Sequence, residues 1–463
     1  AVLIWVSGIW VASNALGLAE ALRPGPVRAL WALAALGAWA CWWSDRRLTR
    51  RPWPLPRDGL AWLLAAAAAG LLLVTLVRAV LAPPSTVDVL NYHLPRQVMW
   101  LQQGSLDFYA TANDRENMMP PLAEVIGLQF LALTGDDGWS NLPQWGAYAL
   151  AAWLAAGLVR RWGGGDRAAV AAALAGLLLP MSYHEASNAK NDLLAAAALL
   201  LLTAEVQAAA RAGEPGRKSA WRVGAALALA LLVKSTAFII APWILLAGLV
   251  PWVRRAGRGH LAVAAAVAIA LCAPFYGRNL LWYGTPLGEH RAEDGGAQAV
   301  AAMGPGLWIS NAVRQATLHA LAPSENWNAA LLGAVARGHE ALGVDVDDER
   351  VTLWGLSFAP EFAPASDVVA GAPAHFWLGG GALLWVLARR RAAPGWWLAP
   401  AVLLAAASFP LILKWQPWMN RLEQGVFWLG IVAVAACWPV GRYGWRATGP
   451  AMFFLVAAAW VWS

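Results

Sequence analysis

Residues 60–96 read LAWLLAAAAAGLLLVTLVRAVLAPPSTVDVLNYHLPR. As far as Ala82 the run is apolar apart from Thr75 and Arg78, and it is long enough to cross a bilayer as one helix. Pro83-Pro84 break it, and a polar segment opening on Asp88 follows. The whole chain has this texture. Hydrophobic residues make up 59% of its 463 residues and charged ones 13%, against about 45–50% and about 25% in soluble domains. That much apolar surface excludes a soluble enzyme, and aperiodic Pro and Gly exclude a collagen-like chain. The composition predicts an all-α polytopic membrane protein.

About thirteen spans are expected, near 1–20, 27–43, 60–82, 143–160, 168–181, 191–210, 222–233, 237–253, 261–275, 373–388, 396–412, 424–440 and 448–462. Residues 1–20 have neither a basic region before them nor a cleavage signature after them, and read as a span rather than a signal peptide. Residues 1–463 form a single transmembrane domain in this reading. Cys41, Cys272 and Cys437 lie in apolar stretches without ligand spacing, which argues against a disulfide framework or a zinc site.

The net charge of +7 is informative once sorted by loop. Arg46, Arg47, Arg50, Arg51 and Arg57, then Arg160, Arg161 and Arg167, Arg211, Arg217, Lys218 and Arg222, Arg254, Arg255 and Arg258, Arg389–Arg391, and Arg442 and Arg446 fall in alternate connections. Asp45, Asp58, Asp166 and Glu214 are the acids there. The positive-inside rule makes these loops cytoplasmic, so the basic surplus orients the chain and no nucleic-acid partner is needed. The opposite, outer side holds two long segments, 84–142 and 276–372, with short turns near 181–190, 233–236 and 412–423. No internal repeat of the transporter kind is evident.

In the first outer segment, Asp88, Asn91, Tyr92 and Pro95 recur at helical spacing, with Arg96 one turn beyond Tyr92. This predicts a surface helix with a polar face toward a cavity, ended by Gly104-Ser105. Pro120-Pro121 start a second helix with Leu122, Val125, Ile126, Phe130 and Leu133 on one stripe. Asp114, Arg115 and Glu116 precede it. Asp88 suits either a reactive carboxylate at the membrane boundary or a simple helix cap.

The pattern from Asp88 to Glu124, D-x-x-x-Y-H-L-P-R…W-x-x-x-G-S…N-x-x…P-P-L-x-E, resembles the first outer loop of the GT-C integral-membrane glycosyltransferases. The bacterial group that includes protein O-mannosyltransferases and lipid A aminoarabinose transferases is the nearest in pattern. Lys234-Ser235-Thr236 resembles the lysine-bearing end of a mid-chain helix there. Pro274–Gly288, PFYGRNLLWYGTPLG, resembles an outer-loop element of the group, with Thr285 where Asn is commoner. Lys414–Arg421, KWQPWMNR, is similar to the outer end of a late helix. The resemblance implies a GT-C-like transmembrane helical fold in a bacterial inner membrane, with the active site facing the periplasm or exterior. It implies a polyprenyl-phosphate-linked sugar as donor, Asp88 as catalytic base, and Glu116 or Asp114 as a second carboxylate. The acceptor class, whether lipid, glycan or protein, is left open. The first two spans are extra relative to the simplest members.

That chemistry needs a base for the acceptor hydroxyl and cations for the departing phosphate. A single displacement with inversion needs one base, and no nucleotide motif such as GxGxxG or GxxxxGK[ST] is present. Basic residues where spans meet the outer face are the cation candidates: Arg278 first, then Arg421, Lys414 and Lys234, with Arg96 and Lys190 also there. Each could instead snorkel or neutralise a nearby acid. His184-Glu185 is not HExxH, because residue 188 is Asn. With Tyr92, Lys190 and Asn279, these two are candidates for contacting substrate or acceptor, and a divalent cation stays open as a cofactor. GLWISNAVRQATLHAL and NWNAALLGAVARGHEAL in 276–372 each suit an amphipathic helix over the cavity. Asp345–Glu349 reads as a solvated turn rather than a calcium loop, and Asp367 is a weaker polar candidate. Trp42, Trp43, Trp53, Trp252, Trp282, Trp396 and Trp397 suit interfacial anchoring, whereas Trp415 or Trp418 could stack on a sugar. Two rivals survive: a transporter or flippase of a phosphorylated lipid, and an envelope glycan ligase or polymerase.

Overall fold

The structure, a computed structural model, describes residues 1–44, 59–211, 216–256, 258–288, 298–366 and 368–438. The expected span 448–462, the loop 46–57, Arg442, Arg446 and Asp367 lie outside them. The chain opens with α1 (Val2–Leu18), α2 (Pro24–Ser44) and α3 (Gly59–Leu81). A π-helical turn (Val89–His93) then runs into α4 (Leu94–Gln103), followed by α5 (Arg115–Met118) and α6 (Leu122–Thr134). Next come α7 (Leu142–Arg161), α8 (Asp166–Leu177), the short α9 (Pro180–Glu185), α10 (Asp192–Arg211), α11 (Arg217–Val233), α12 (Ala237–Ala256) and α13 (Arg258–Tyr283). The second outer segment holds α14 (Pro305–Ala320) and α15 (Glu325–Leu342). A second π turn (His375–Gly379) leads to α16 (Gly380–Arg389), then α17 (Leu398–Ile412), α18 (Met419–Leu422) and α19 (Gln424–Cys437). Strand pairing among the described residues is confined to two isolated bridges, Ala299 with Leu413 and Thr352 with Trp415.

The fold class is all-α and polytopic. Among the described residues, three helices are long and apolar enough to cross a membrane by length and composition alone: Gly59–Leu81, Asp192–Arg211 and Gly259–Tyr283. Val2–Leu18, Ala237–Gly248, Leu398–Ile412 and Gln424–Cys437 are shorter apolar helices. The first two long helices occupy opposite environments. The apolar window of α10 is 78% buried and that of α3 only 11%, so α10 is the axis of the bundle while α3 presents most of its surface outward. Sequence explains the difference. The α10 run DLLAAAALLLLTAEVQAAAR puts Ala on several faces, and small residues let neighbouring helices approach closely. Gly176 of α8 extends the same logic, since a Cβ there would collide with the Trp428 ring of α19.

Arg-rich helix ends gather at the end of the bundle away from the start of α10, with Asp166 of α8 paired to Arg160 among them. Arg160 and Arg161 end α7, Arg211 ends α10 and Arg389 ends α16. Asp192 begins α10 and Lys234 follows α11 at the other end.

The first two helices brace the outer segment. Trp10 Nε1 donates to the Leu271 carbonyl of α13 at 2.8 Å. Arg28 donates to the Ala132 carbonyl of α6 at 2.9 Å, and Trp31 Nε1 to Gln129 Oε1 at 3.0 Å. The turn between α1 and α2 joins them, with Leu22 N–H bonded to the Gly104 carbonyl at 2.8 Å. Gly104 closes α4 in the left-handed region, φ +78°, which favours glycine and explains the expected stop there. Both helices expected in the second outer segment form, and Ser324 caps the second by accepting from Trp327 N–H at 3.3 Å. In the acidic turn, Asp345 accepts from the Asp347 N–H and Asp348 pairs with Arg350.

Candidate active site

The π turn sets the geometry of the first outer segment. A wide turn inserts one residue relative to α-helical spacing and rotates everything after it. Asp88 stands at its start with helical backbone angles and makes no side-chain capping bond, so the cap reading fails. Its carboxylate instead pairs with the Arg421 guanidinium, carried on α18 from far along the chain. Burial alone would push the Asp88 carboxyl up, but Arg421, with Lys190 and His93, holds it below the usual carboxylate range.

Arg421 is a hub. The carboxylates of Asp192, Asp88 and Glu185 all act on it, and its Nε is buried without a hydrogen-bond partner. Asp192 pairs with Lys234, and Lys190 Nζ lies 3.4 Å from Glu185 Oε1. Gln144 of α7 and Gln424 of α19 each reach Glu185 Oε2 at 3.4 Å. Ser182 donates to Gln424 Oε1 at 2.7 Å and accepts from Trp428 Nε1 at 3.1 Å. Asn191 Nδ2 bonds the Val233 carbonyl at 3.2 Å, tying the start of α10 to the end of α11. Three carboxylates and three cations therefore meet where α9, α10, α11 and α18 end beside the π turn. Burial, then the Asp192 carboxylate, pushes the Glu185 carboxyl up to about 8 against the pull of Lys190 and Arg421. Tyr92, buried beside Asp88, is raised well above its ordinary value by burial and then by that carboxylate. It stands there as a neutral hydroxyl.

Arg96 is not in this group. The extra residue of the π turn rotates it into the protein, where it is fully buried. It donates to the Met119 carbonyl at 2.7 Å, lies 3.7 Å from Glu124 Oε2 and stacks over the Trp100 ring at 4.5 Å. His93 Nδ1 lies 2.5 Å from Glu124 Oε1. This buried trio locks α4 onto α6 and so fixes the helix that carries Asp88. The buried stripe of α6 runs through Leu122, Val125, Leu128, Gln129 and Ala132, whereas Leu133 of the expected stripe is 41% exposed.

Other expected residues also stand elsewhere. Glu116 accepts from the Tyr109 hydroxyl at 2.6 Å, and Asp114 begins α5. The carboxylates flanking Arg421 with Asp88 are Asp192 and Glu185. Arg278 lies over the Phe108 ring and 3.5 Å from Asp107, bracing the 106–108 stretch. Asn279 ties the Met118 and Pro286 carbonyls together at 3.1 and 2.9 Å. Lys414 lies on the extended stretch whose backbone joins the Gln298 carbonyl. Trp415 is buried against Phe358 and Arg314, which removes it as a sugar platform. His184 Nε2 bonds the Pro364 carbonyl at 2.8 Å, and Asn420 Nδ2 the Val369 carbonyl at 2.8 Å. These two bonds fasten the second outer segment beside the charged group. Among the described residues no three His, Cys, Asp or Glu side chains are grouped to hold a metal ion.

A family model described as dolichyl-phosphate-mannose-protein mannosyltransferase matches residues 118–277. ArnT from Cupriavidus metallidurans, in its crystal structure bound to undecaprenyl phosphate, aligns at TM-score 0.55 with 16% identity, over 87% of this chain and 64% of that one. The apo crystal structure of the same protein aligns at TM-score 0.50 with 17% identity, over 81% and 58%. The chain thus spans less than two thirds of the length of either solved chain. No curated protein matches it. In sequence over 118–277 and in fold over most of its length, the chain resembles the GT-C superfamily of membrane glycosyltransferases, in the likeness of ArnT and the mannosyltransferases.

Proposed function

We propose that this chain transfers a sugar from a polyprenyl-phosphate donor to an acceptor hydroxyl at the outer face of a bacterial inner membrane. The convergence of Asp88, Glu185, Lys190, Asp192, Lys234 and Arg421 at the end of the bundle away from its Arg-rich helix termini carries this reading. Arg421, Lys234 and Lys190 supply cations for the donor phosphate, and an arginine fork suits phosphate oxygens. Asp88 takes the acceptor proton as the acceptor oxygen attacks the anomeric carbon. The bond from that carbon to the phosphate oxygen breaks on the opposite side, its electron pair leaves with polyprenyl phosphate, and configuration inverts. Arg421, Lys234 and Lys190 stabilise the charge that grows on the phosphate.

The test is a proteoliposome assay with a radiolabelled polyprenyl-phosphate sugar and a mixture of lipid, glycan and peptide acceptors. Covalent transfer with inverted anomeric configuration is the expected result. Movement of the labelled lipid across the bilayer without transfer would favour the transporter reading instead.

A further inference from the structure

The group proposed to receive the donor phosphate is already occupied by part of the protein. Asp88 places its carboxylate on the terminal nitrogen of Arg421, and that carboxylate serves no helix cap. Both side chains are mostly buried, with 13% of Arg421 and 15% of Asp88 exposed, so the pair is weakly screened. A second Arg421 donor, Nε, is buried and unpartnered, an expensive state unless a ligand completes it. The acids facing Arg421 are Asp88 from the π turn, Asp192 from α10 and Glu185 from α9. Asp192 and Glu185 have Lys234 and Lys190 as partners of their own. Asp88 is the acid whose ion pair is with Arg421 itself.

A carboxylate held on a guanidinium is poorly placed to accept a proton, and a guanidinium holding a carboxylate is poorly placed to bind phosphate. One exchange resolves both conflicts. We propose that Asp88 is the resting occupant of the donor-phosphate position on Arg421, and that the arriving phosphate displaces it and thereby frees it to act as the base. This rests on the reading that Arg421 holds the donor phosphate. The displacement makes and breaks no covalent bond. The donor's phosphodiester carries one negative charge, as the carboxylate does, but adds ester oxygens to its two non-bridging ones, so it can reach Nε as well as the terminal nitrogens. The consequence is ordered binding, with the base competent only after the donor is seated. An acceptor arriving first meets a carboxylate engaged elsewhere.

The test measures undecaprenyl phosphate binding to the full chain in nanodiscs, with transfer assayed separately. If Asp88 competes for Arg421, Asp88→Asn binds the lipid phosphate about tenfold tighter than wild type, the scale of one charge-assisted contact. Arg421→Ala binds it at least about tenfold more weakly. In the double variant the gain from Asp88→Asn disappears, because its competitor's target is gone. Equal or weaker binding in Asp88→Asn overturns the proposal, and so does wild-type affinity in Arg421→Ala. Circular dichroism on each variant confirms that the fold is retained before the comparison is made. A wild-type chain that transfers sugar while Asp88→Asn binds no tighter would discard the competition and keep the function. A chain with no transfer would discard the function and leave the binding comparison readable.

Discussion

Glu124→Ala is the perturbation whose cost follows most directly from the geometry. Arg96 is fully buried and Glu124 all but fully. Glu124 is the acid 3.7 Å from the Arg96 guanidinium and 2.5 Å from His93 Nδ1. Carbonyl dipoles and the Trp100 ring remain when it is removed, but they do not cancel a full charge. Breaking a buried pair by deleting one partner costs about 3–5 kcal/mol. The loss is local in origin, because the trio joins α4 to α6. Hydrogen exchange over residues 87–103 therefore rises before the rest of the chain opens. Denaturant unfolding in a fixed detergent, followed by tryptophan fluorescence, measures the cost. Deleting both charges with the pair Glu124→Leu and Arg96→Met restores much of the stability that Glu124→Ala removes, since two packed apolar side chains replace an uncompensated charge. A Glu124→Ala protein within about 0.5 kcal/mol of wild type, the range of ordinary surface changes, would refute the reasoning. A double variant worse than the single would do the same.

Three further outcomes follow from the charged group. Glu185 is neutral below its raised value of about 8 and negative above it, so undecaprenyl phosphate binding weakens as pH rises through that value, and Glu185→Gln flattens the profile over pH 7–9. A wild-type profile that stays flat over that range counts against the proton on Glu185. Lys234→Ala lowers kcat/KM for transfer about tenfold to a hundredfold, the loss of one charged hydrogen bond, and unchanged kinetics would remove Lys234 from the phosphate site. Gly176→Val drives a side chain into the Trp428 ring, and overpacking of this kind costs about 1–3 kcal/mol. Because Trp428 holds Ser182 and Ser182 holds Gln424, transfer falls together with stability, and a fully active Gly176→Val protein would break that chain of contacts.

Much of the architecture is written in hydropathy, because a bilayer demands long apolar helices whose ends carry the charges. Asp88 was legible for the same reason, since it follows a long apolar run. The partners of Asp88 in the charged group are less legible. Asp192 reads in sequence as a polar helix start, and only packing brings it to Lys234, 42 residues on, and to Arg421. Glu124 lies inside an apolar helix with its partner His93 31 residues earlier. Helical spacing carried straight through residues 89–93 turns Arg96 toward the cavity. The π turn there shifts the register by one residue, about 100° of rotation, and no local composition announces it. Arg278 sits at a helix end that suits phosphate in sequence, but in the fold it lies against Asp107 and Phe108.

Sugar transfer by Asp88→Asn, measured in single turnover at saturating labelled polyprenyl-phosphate sugar, tests the account most directly. Asparagine keeps the size of the side chain but is uncharged and cannot take the acceptor proton. Transfer falls by at least about a hundredfold, while the donor stays bound. Wild-type transfer in Asp88→Asn would contradict the account.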